Sequence, residues 1–196
     1  MSDLRGPLLA LLDAHAESPR LVSQEVESFR RLRTFVKSTE RCFERQHLAG
    51  HVTGSAWILD ARDAHVVLLH HKKLGLWLQP GGHADGDPDV FRVALKEAEE
   101  ETGLFDLAPI HQGIFDVDVH AIPARPAKGS RGAEPAHFHY DVRFAFRAPE
   151  GASLTVSDES HAVRWVARED VPRFTRDASV RRMHAKWSSG LCGATN

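Results

Sequence analysis

Two periodicities divide the chain. In the first 47 residues, Val22, Val26, Phe29, Leu32 and Phe35/Val36 recur every three or four positions. Glu25, Glu27, Arg30, Arg31 and Arg33 fill the other side. That spacing predicts an amphipathic helix. A shorter helix over residues 8–16 should stop before Ser18-Pro19, because the residue ahead of a proline is pushed out of the helical region. From His51 the texture changes to short β-rich runs. Residues 53–59 and 66–70 read as strands joined by a turn at 60–64, and 74–78 lead into the sharp break Pro80-Gly81-Gly82. A helix is predicted over 88–102, with strands near 114–120, 137–146 and 162–166. A last helix over 177–187 places Val180, Met183 and Trp187 on one face. The stretch 122–135, rich in Pro, Gly and Ala, reads as a mobile loop. No internal repeat is visible.

Composition narrows the classes. With 196 residues, 42% hydrophobic and 27% charged, the chain has enough apolar material for one domain with an extension. A net charge of −2 argues against bulk binding of nucleic acid. Two cysteines, Cys42 and Cys192, make neither a disulfide framework nor a CxxC zinc site, and they fit a reducing, cytoplasmic setting. The apolar run at 7–12 is too short for a signal core and is interrupted by Asp13, and no stretch is long enough to span a membrane. Thirteen histidines are an unusual number.

The helix at 88–102 carries the chemistry. Asp87 is expected as its N-cap, Pro88 as its first residue and Gly103 as its left-handed stop. Glu97, Glu100 and Glu101 then fall within an arc of roughly 100°. Val90, Val93 and Ala94 share that arc, whereas Asp89, Arg92, Lys96 and Glu99 take the opposite side. Carboxylates grouped on the apolar face repel one another and lose hydration. At the C-terminal end of a helix each also opposes the dipole by roughly 0.3–1 kcal/mol. A hard divalent cation is the simplest counter-charge.

These residues resemble the Nudix hydrolase signature: Gly, five residues, Glu, seven residues, then Arg-Glu-apolar-any-Glu-Glu-any-Gly-apolar. Gly82 opens it, and Lys96-Glu97-Ala98-Glu99-Glu100-Glu101-Thr102-Gly103-Leu104 closes it at the required spacing. The preceding Trp77-Leu78-Gln79-Pro80-Gly81-Gly82 is also typical of that family. Pro88 stands where the family usually has Glu, and Lys96 where it usually has Arg. Lys keeps the charge but loses the bidentate fork.

The resemblance implies an α/β fold, an α/β/α sandwich with a mixed sheet over residues 48–190. Residues 1–47 form a helical extension and 191–196 a tail. It implies hydrolysis of a diphosphate linkage in a nucleoside diphosphate joined to another moiety, with Mg²⁺ or Mn²⁺ held by Glu97, Glu100 and Glu101 and the Gly81 carbonyl. Glu97 is also a candidate general base. Glu159 sits where many relatives place a further acid. Relatives often pair, so a homodimer is compatible. The extension reads either as a packing or dimerisation element or as a substrate lid. Two alternatives share the fold: a non-catalytic nucleotide sensor and an isopentenyl-diphosphate-type isomerase. The second needs a cysteine near 79–83, where none occurs.

A second polar face is visible in two later segments. His137, His139, Asp141 and Arg143 alternate with Phe138, Tyr140, Val142 and Phe144. Asp116, Asp118 and His120 alternate likewise. If these strands pair across the loop, the faces adjoin. Three readings stand open: a solvent-facing sheet, a substrate or phosphate contact, and a transition-metal site. His83, beside Gly82, points to the same cleft or is a plain loop residue. Trp57, Trp77, Tyr140 and Trp165 read as core or as base-stacking partners.

Overall fold

The structure is a computed structural model that describes residues 3–127, 132–158 and 160–193. Two helices come first, α1 (Gly6–Ala16) and α2 (Val26–Ser38), the latter entered through the 3₁₀ turn Ser23–Glu25. Strands β1 (Gly50–Leu59), β2 (His65–His71), β3 (Trp77–Leu78) and β4 (Gly81–His83) follow, and then helix α3 (Val90–Thr102). After it come β5 (Ala108–Pro109), β6 (Asp116–Ile122), β7 (His137–Arg147) and β8 (Ser160–Ala167). Helices α4 (Val171–Phe174) and α5 (Ala178–Ser188) close the described chain. None of the helices among the described residues is long and apolar enough to cross a membrane.

Strand β1 is the centre of a mixed sheet. It runs parallel to β7 along its whole length, from Gly50 against Phe138 to Leu59 against Arg147. Its other edge pairs antiparallel with β4 and with the start of β2. β6 and β7 pair antiparallel, as expected, with Asp116 opposite Arg143, Asp118 opposite Asp141 and His120 opposite His139. Alternation along the strands sorts side chains to two cores. Val52, Ala56 and Ile58 of β1 face α1, α2 and α3, while Trp57 and Leu59 face Val171 of α4 and Val180, Met183 and Trp187 of α5. The result is the α/β/α sandwich. The extension helices share the first core: Leu8, Leu12, Leu32 and Val36 are fully buried in it, and the Phe35 ring stacks on Tyr140 at 3.9 Å.

Local chemistry accounts for the boundaries. Asp60 Oδ1 accepts from the Ala64 N–H at 2.8 Å and closes the β1–β2 turn, in which Asp63 takes φ 55°. Gly103 stops α3 at φ 70°, as expected. The start of α3 is later than expected. Asp89, not Asp87, is the N-cap and accepts from the Arg92 N–H at 3.1 Å, so Pro88 lies outside the helix. Asp87 instead accepts from the Asp89 N–H at 3.0 Å in a turn that precedes it. The strand expected over 74–78 shortens to Trp77–Leu78, since a turn closes with the Gly75 N–H on the His71 carbonyl and Gly75 at φ 64°.

Two contacts tie the layers. At Gly54 of β1, an added Cβ would lie 2.8 Å from the Val90 carbonyl oxygen and 3.0 Å from the Ala94 nitrogen, so α3 rests directly on the sheet. On the other side of the molecule a buried ion chain joins the extension to the sheet. His15 Nε2 lies 2.8 Å from Glu25 Oε1, and the Lys186 ammonium bonds the Glu25 carboxylate. Lys186 also reaches Asp116 Oδ1 at 2.8 Å and the Phe115 carbonyl at 2.9 Å. Asp116 Oδ2 then takes Arg182 at 2.7 Å and Arg143 at 3.1 Å. Burial pushes the Asp116 carboxyl up, but the Arg182 hydrogen bond and the charges of Lys186 and Arg143 outweigh it and hold its pKa below the usual range.

Gly54→Ala should therefore overpack the α3–β1 contact and lower stability by about 1–3 kcal/mol in urea unfolding. Lys186→Met removes the cation between Glu25 and Asp116 and should cost about 3–5 kcal/mol in the same measurement. A loss under about 1 kcal/mol for Lys186→Met would mean that surface-type screening reaches this pair.

Candidate active site

The end of α3 meets the glycine turn that opens β4. The Gly81 N–H donates to Glu101 Oε2 at 2.9 Å. A Cβ at Gly82 would strike the Glu97 carboxylate, with Oε1 at 2.8 Å. Glycine at position 82 thus admits the Glu97 carboxylate, while the space that a side chain would take at Gly81 is filled by Ser55 of β1. The three glutamates are not equally turned inward. Glu101 is buried, the Glu97 side chain is 20% exposed, and the Glu100 side chain, 57% exposed, stands at the rim. Lys96 leans over them, with Nζ 3.2 Å from Glu100 and 3.8 Å from Glu97. Its hydrogen bond to Glu100 raises the Lys96 pKa.

These carboxylates line a cleft of about 470 Å³ together with His83, His139 and Asp141. Arg45, Lys73 and Arg125 also line it. Acidic and basic groups therefore share one opening, the arrangement needed to hold a cation and an anion side by side. The donor set fits a hard divalent ion: three carboxylates line one cleft, Glu97 where a Gly82 Cβ would stand, Glu101 on the Gly81 N–H and Glu100 at the rim.

The structure divides the expected polar face. His83, His120, His139 and Asp141 line the cleft. Asp141 is fixed there, with Oδ1 accepting from Thr53 Oγ1 at 2.9 Å and Ser55 Oγ at 2.8 Å, and Oδ2 from Arg143 Nε at 2.7 Å. Asp116 and Arg143 lie elsewhere than in the cleft: they are buried in the ion chain, and Arg143 also bonds Ser179 Oγ at 3.0 Å. Burial lowers the Arg143 pKa, but Asp141, Asp118 and Asp116 more than offset that and raise it. Asp118 is held by Arg182 at 3.2 Å and by His120 Nδ1 at 3.1 Å. The solvent-facing reading of this sheet does not apply to Asp116, Asp141 or Arg143, each 2% exposed or less. Glu159 and the tip of the loop at 128–131 lie outside the described residues.

Histidines gather at one end of the cleft. His51 of β1 is opposite His139 of β7, and the His51 ring centroid lies 5.0 Å from His83, 5.2 Å from His137 and 4.8 Å from His139. Burial, and then the charges of neighbouring His83 and His137, push the His51 pKa down to about 4. Burial and Arg45 do the same to His83, also to about 4. These rings are neutral near pH 7. The sequence pattern missed His51, because His51-Val52-Thr53 reads as the start of an ordinary strand. Arg45 and Lys73 carried no signal either, being brought to the cleft only by the fold. Trp57, Trp77, Tyr140 and Trp165 pack against the cores and none lines the cleft. Cys42 and Cys192 are buried away from it, and burial pushes their thiols up to about 11 and about 12. A cysteine-based isomerisation has no nucleophile here.

An α/β/α sandwich with carboxylates closed onto a Gly-Gly corner defines a class of hydrolase. A sequence model of the NUDIX domain matches residues 50–187, and the chain belongs to that family. It is a Nudix-type hydrolase, of a family that acts on nucleoside diphosphate derivatives with divalent metal ions. A comparison with curated proteins gives no match. Solved structures share the fold. A C. elegans Ap4A hydrolase in a binary complex is 18% identical, with 73% of this chain and 98% of that chain covered and a TM-score of 0.53. A Nudix hydrolase from M. smegmatis is 16% identical over 75% and 89%, TM-score 0.51. The E. coli dihydroneopterin triphosphate pyrophosphohydrolase is 14% identical over 70% and 95%, TM-score 0.51.

Gly82→Ala tests the corner. The Glu97 carboxylate is the far end of a flexible side chain, so the fold should survive while that carboxylate is displaced. Mn²⁺ affinity, read by electron paramagnetic resonance, should fall by about 10–100-fold, the cost of misorienting a ligand. Unchanged affinity would show that the ion does not use Glu97.

Proposed function

We propose that the chain hydrolyses a phosphoanhydride in a nucleoside diphosphate joined to another group, with Mg²⁺ or Mn²⁺ held by Glu97, Glu100, Glu101 and the Gly81 carbonyl. The observation that carries this reading is the closure of Glu97 and Glu101 onto the backbone of Gly81-Gly82 inside an open cleft. A bound divalent ion would neutralise the diphosphate and lower the pKa of the attacking water.

The chain's own residues supply the rest. The Gly81 N–H holds Glu101 at a fixed angle, so this carboxylate loses little freedom when it ligates. Lys96 orients Glu100 at the rim. Arg45, Lys73 and Arg125 receive the phosphate oxygens and draw the anion into the cleft. Glu97 takes the proton of the water as its oxygen bonds to phosphorus, and the anhydride P–O bond breaks with its electron pair leaving on the departing phosphate. Part of the loop at 122–135 and the residues of the cleft rim select the group beyond the diphosphate. Ile122, Arg125 and Glu134 of that loop already face the cleft, which supports this role.

A phosphate-release screen over nucleotide sugars, dinucleotides, nucleoside triphosphates and capped RNA tests the proposal. Turnover should require Mg²⁺ or Mn²⁺ and vanish with chelator. Glu97→Gln and Glu101→Gln should each lower kcat by about 100-fold or more while circular dichroism stays unchanged. Tight nucleotide binding without turnover in either metal would assign a sensor instead.

A further inference from the structure

We propose that His51, His137 and His139 form a second metal site, for a zinc-class transition-metal ion, separate from the carboxylates of α3. One ring nitrogen from each of the three lies within 4.8 Å of one from each of the others. His51 is 1% exposed, and among the described residues neither of its ring nitrogens has a hydrogen-bond partner. A buried imidazole with unpartnered nitrogens, set among other imidazoles, has the donor chemistry of a transition-metal ligand.

The tautomers agree. His137 Nδ1 lies 2.9 Å from the Pro135 carbonyl oxygen. A carbonyl only accepts, so Nδ1 carries a hydrogen, and in the neutral ring Nε2 then presents its lone pair. A backbone carbonyl on the far nitrogen is the usual support of a ligating histidine. His137 Nε2 is 3.3 Å from His139 Nε2. Two nitrogens bound tetrahedrally to zinc at about 2.0–2.1 Å stand about 3.3 Å apart. Neutral imidazole is also the form a metal needs, and it suits zinc-class ions rather than Mg²⁺. Backbone pairing fixes two of the ligands, since His51 is opposite His139 on adjacent strands. Of the three, His139 lines the cleft, as does Glu134, whose Oε1 lies 3.9 Å from His137 Nε2. This site does not rest on the hydrolase reading.

Co²⁺ titration of the chelator-treated full chain is the test. One equivalent should give the visible absorption of a tetrahedral, nitrogen-rich site, and excess Mg²⁺ should not displace it. His51→Phe and His139→Asn should each weaken binding by more than about 100-fold, beyond the loss of a supporting partner. Glu101→Gln should leave the band intact. Should the variants unfold, zinc-edge X-ray absorption of the wild-type chain should show scattering from several imidazoles. No band in the folded wild type, a band lost in Glu101→Gln, a band kept in folded His51→Phe and His139→Asn, or an oxygen-only shell would each overturn the site.

Discussion

The contact on which this molecule turns is that between two glycines and two carboxylates. Gly81 and Gly82 bring bare backbone against the end of α3: Glu97 fills the space that a side chain at Gly82 would occupy, and the Gly81 N–H holds Glu101. Every other placement follows. The sheet must hold β4 beside β1, which the pairing of Gly82 with Gly54 achieves. The helix must lie low on the sheet, and Gly54 allows it to. Gly54 and its strand partner Gly82 thus set how deep Glu97 and the end of α3 sit against the sheet.

Behind that corner runs a line of buried charge. From His15 and Glu25 it passes through Lys186 and Asp116 to Arg143 and Asp141, and ends on Thr53 and Ser55 beside the cleft. Buried ions add little stability over apolar packing, because desolvation offsets attraction. What they do is demand partners, and the partners here come from six elements: α1, the turn before α2, α5, β6, β7 and β1. Mispacking any of them would strand a charge. The line therefore specifies one arrangement of the extension against the sheet, and it keeps Asp141 in place at the cleft wall.

The histidine end of the cleft and the carboxylate end differ in donor type. Oxygen donors on α3 suit hard ions, and neutral imidazoles on β1 and β7 suit softer ones. His139 of the histidine set lines the same cleft as the α3 carboxylates, and Asp141, two residues along the same face of β7, lines it too.

Much of the architecture was legible in the order of residues, because it depends on spacing along one element. The apolar stripe of α2, the alternation of β6 and β7, the stop at Gly103 and the clustering of Glu97, Glu100 and Glu101 are all local features of one segment, though Val26 and Glu100 end up exposed. The start of α3 was misjudged by two residues, since Asp87 and Asp89 are both capping types and only the turn before them decides which one caps. Whether a polar side chain faces solvent, a partner or the cleft depends on which strand lies opposite and which helix covers it. Asp116 and Asp118 look alike in sequence, yet Asp116 is closed off by Arg182 and Lys186 from a helix more than sixty residues away. Arg45 and Lys73 gained meaning only when the fold carried them to the cleft, and His51 only when parallel pairing set it beside His139. Periodicity is written in the chain; proximity between distant segments is created by the sheet.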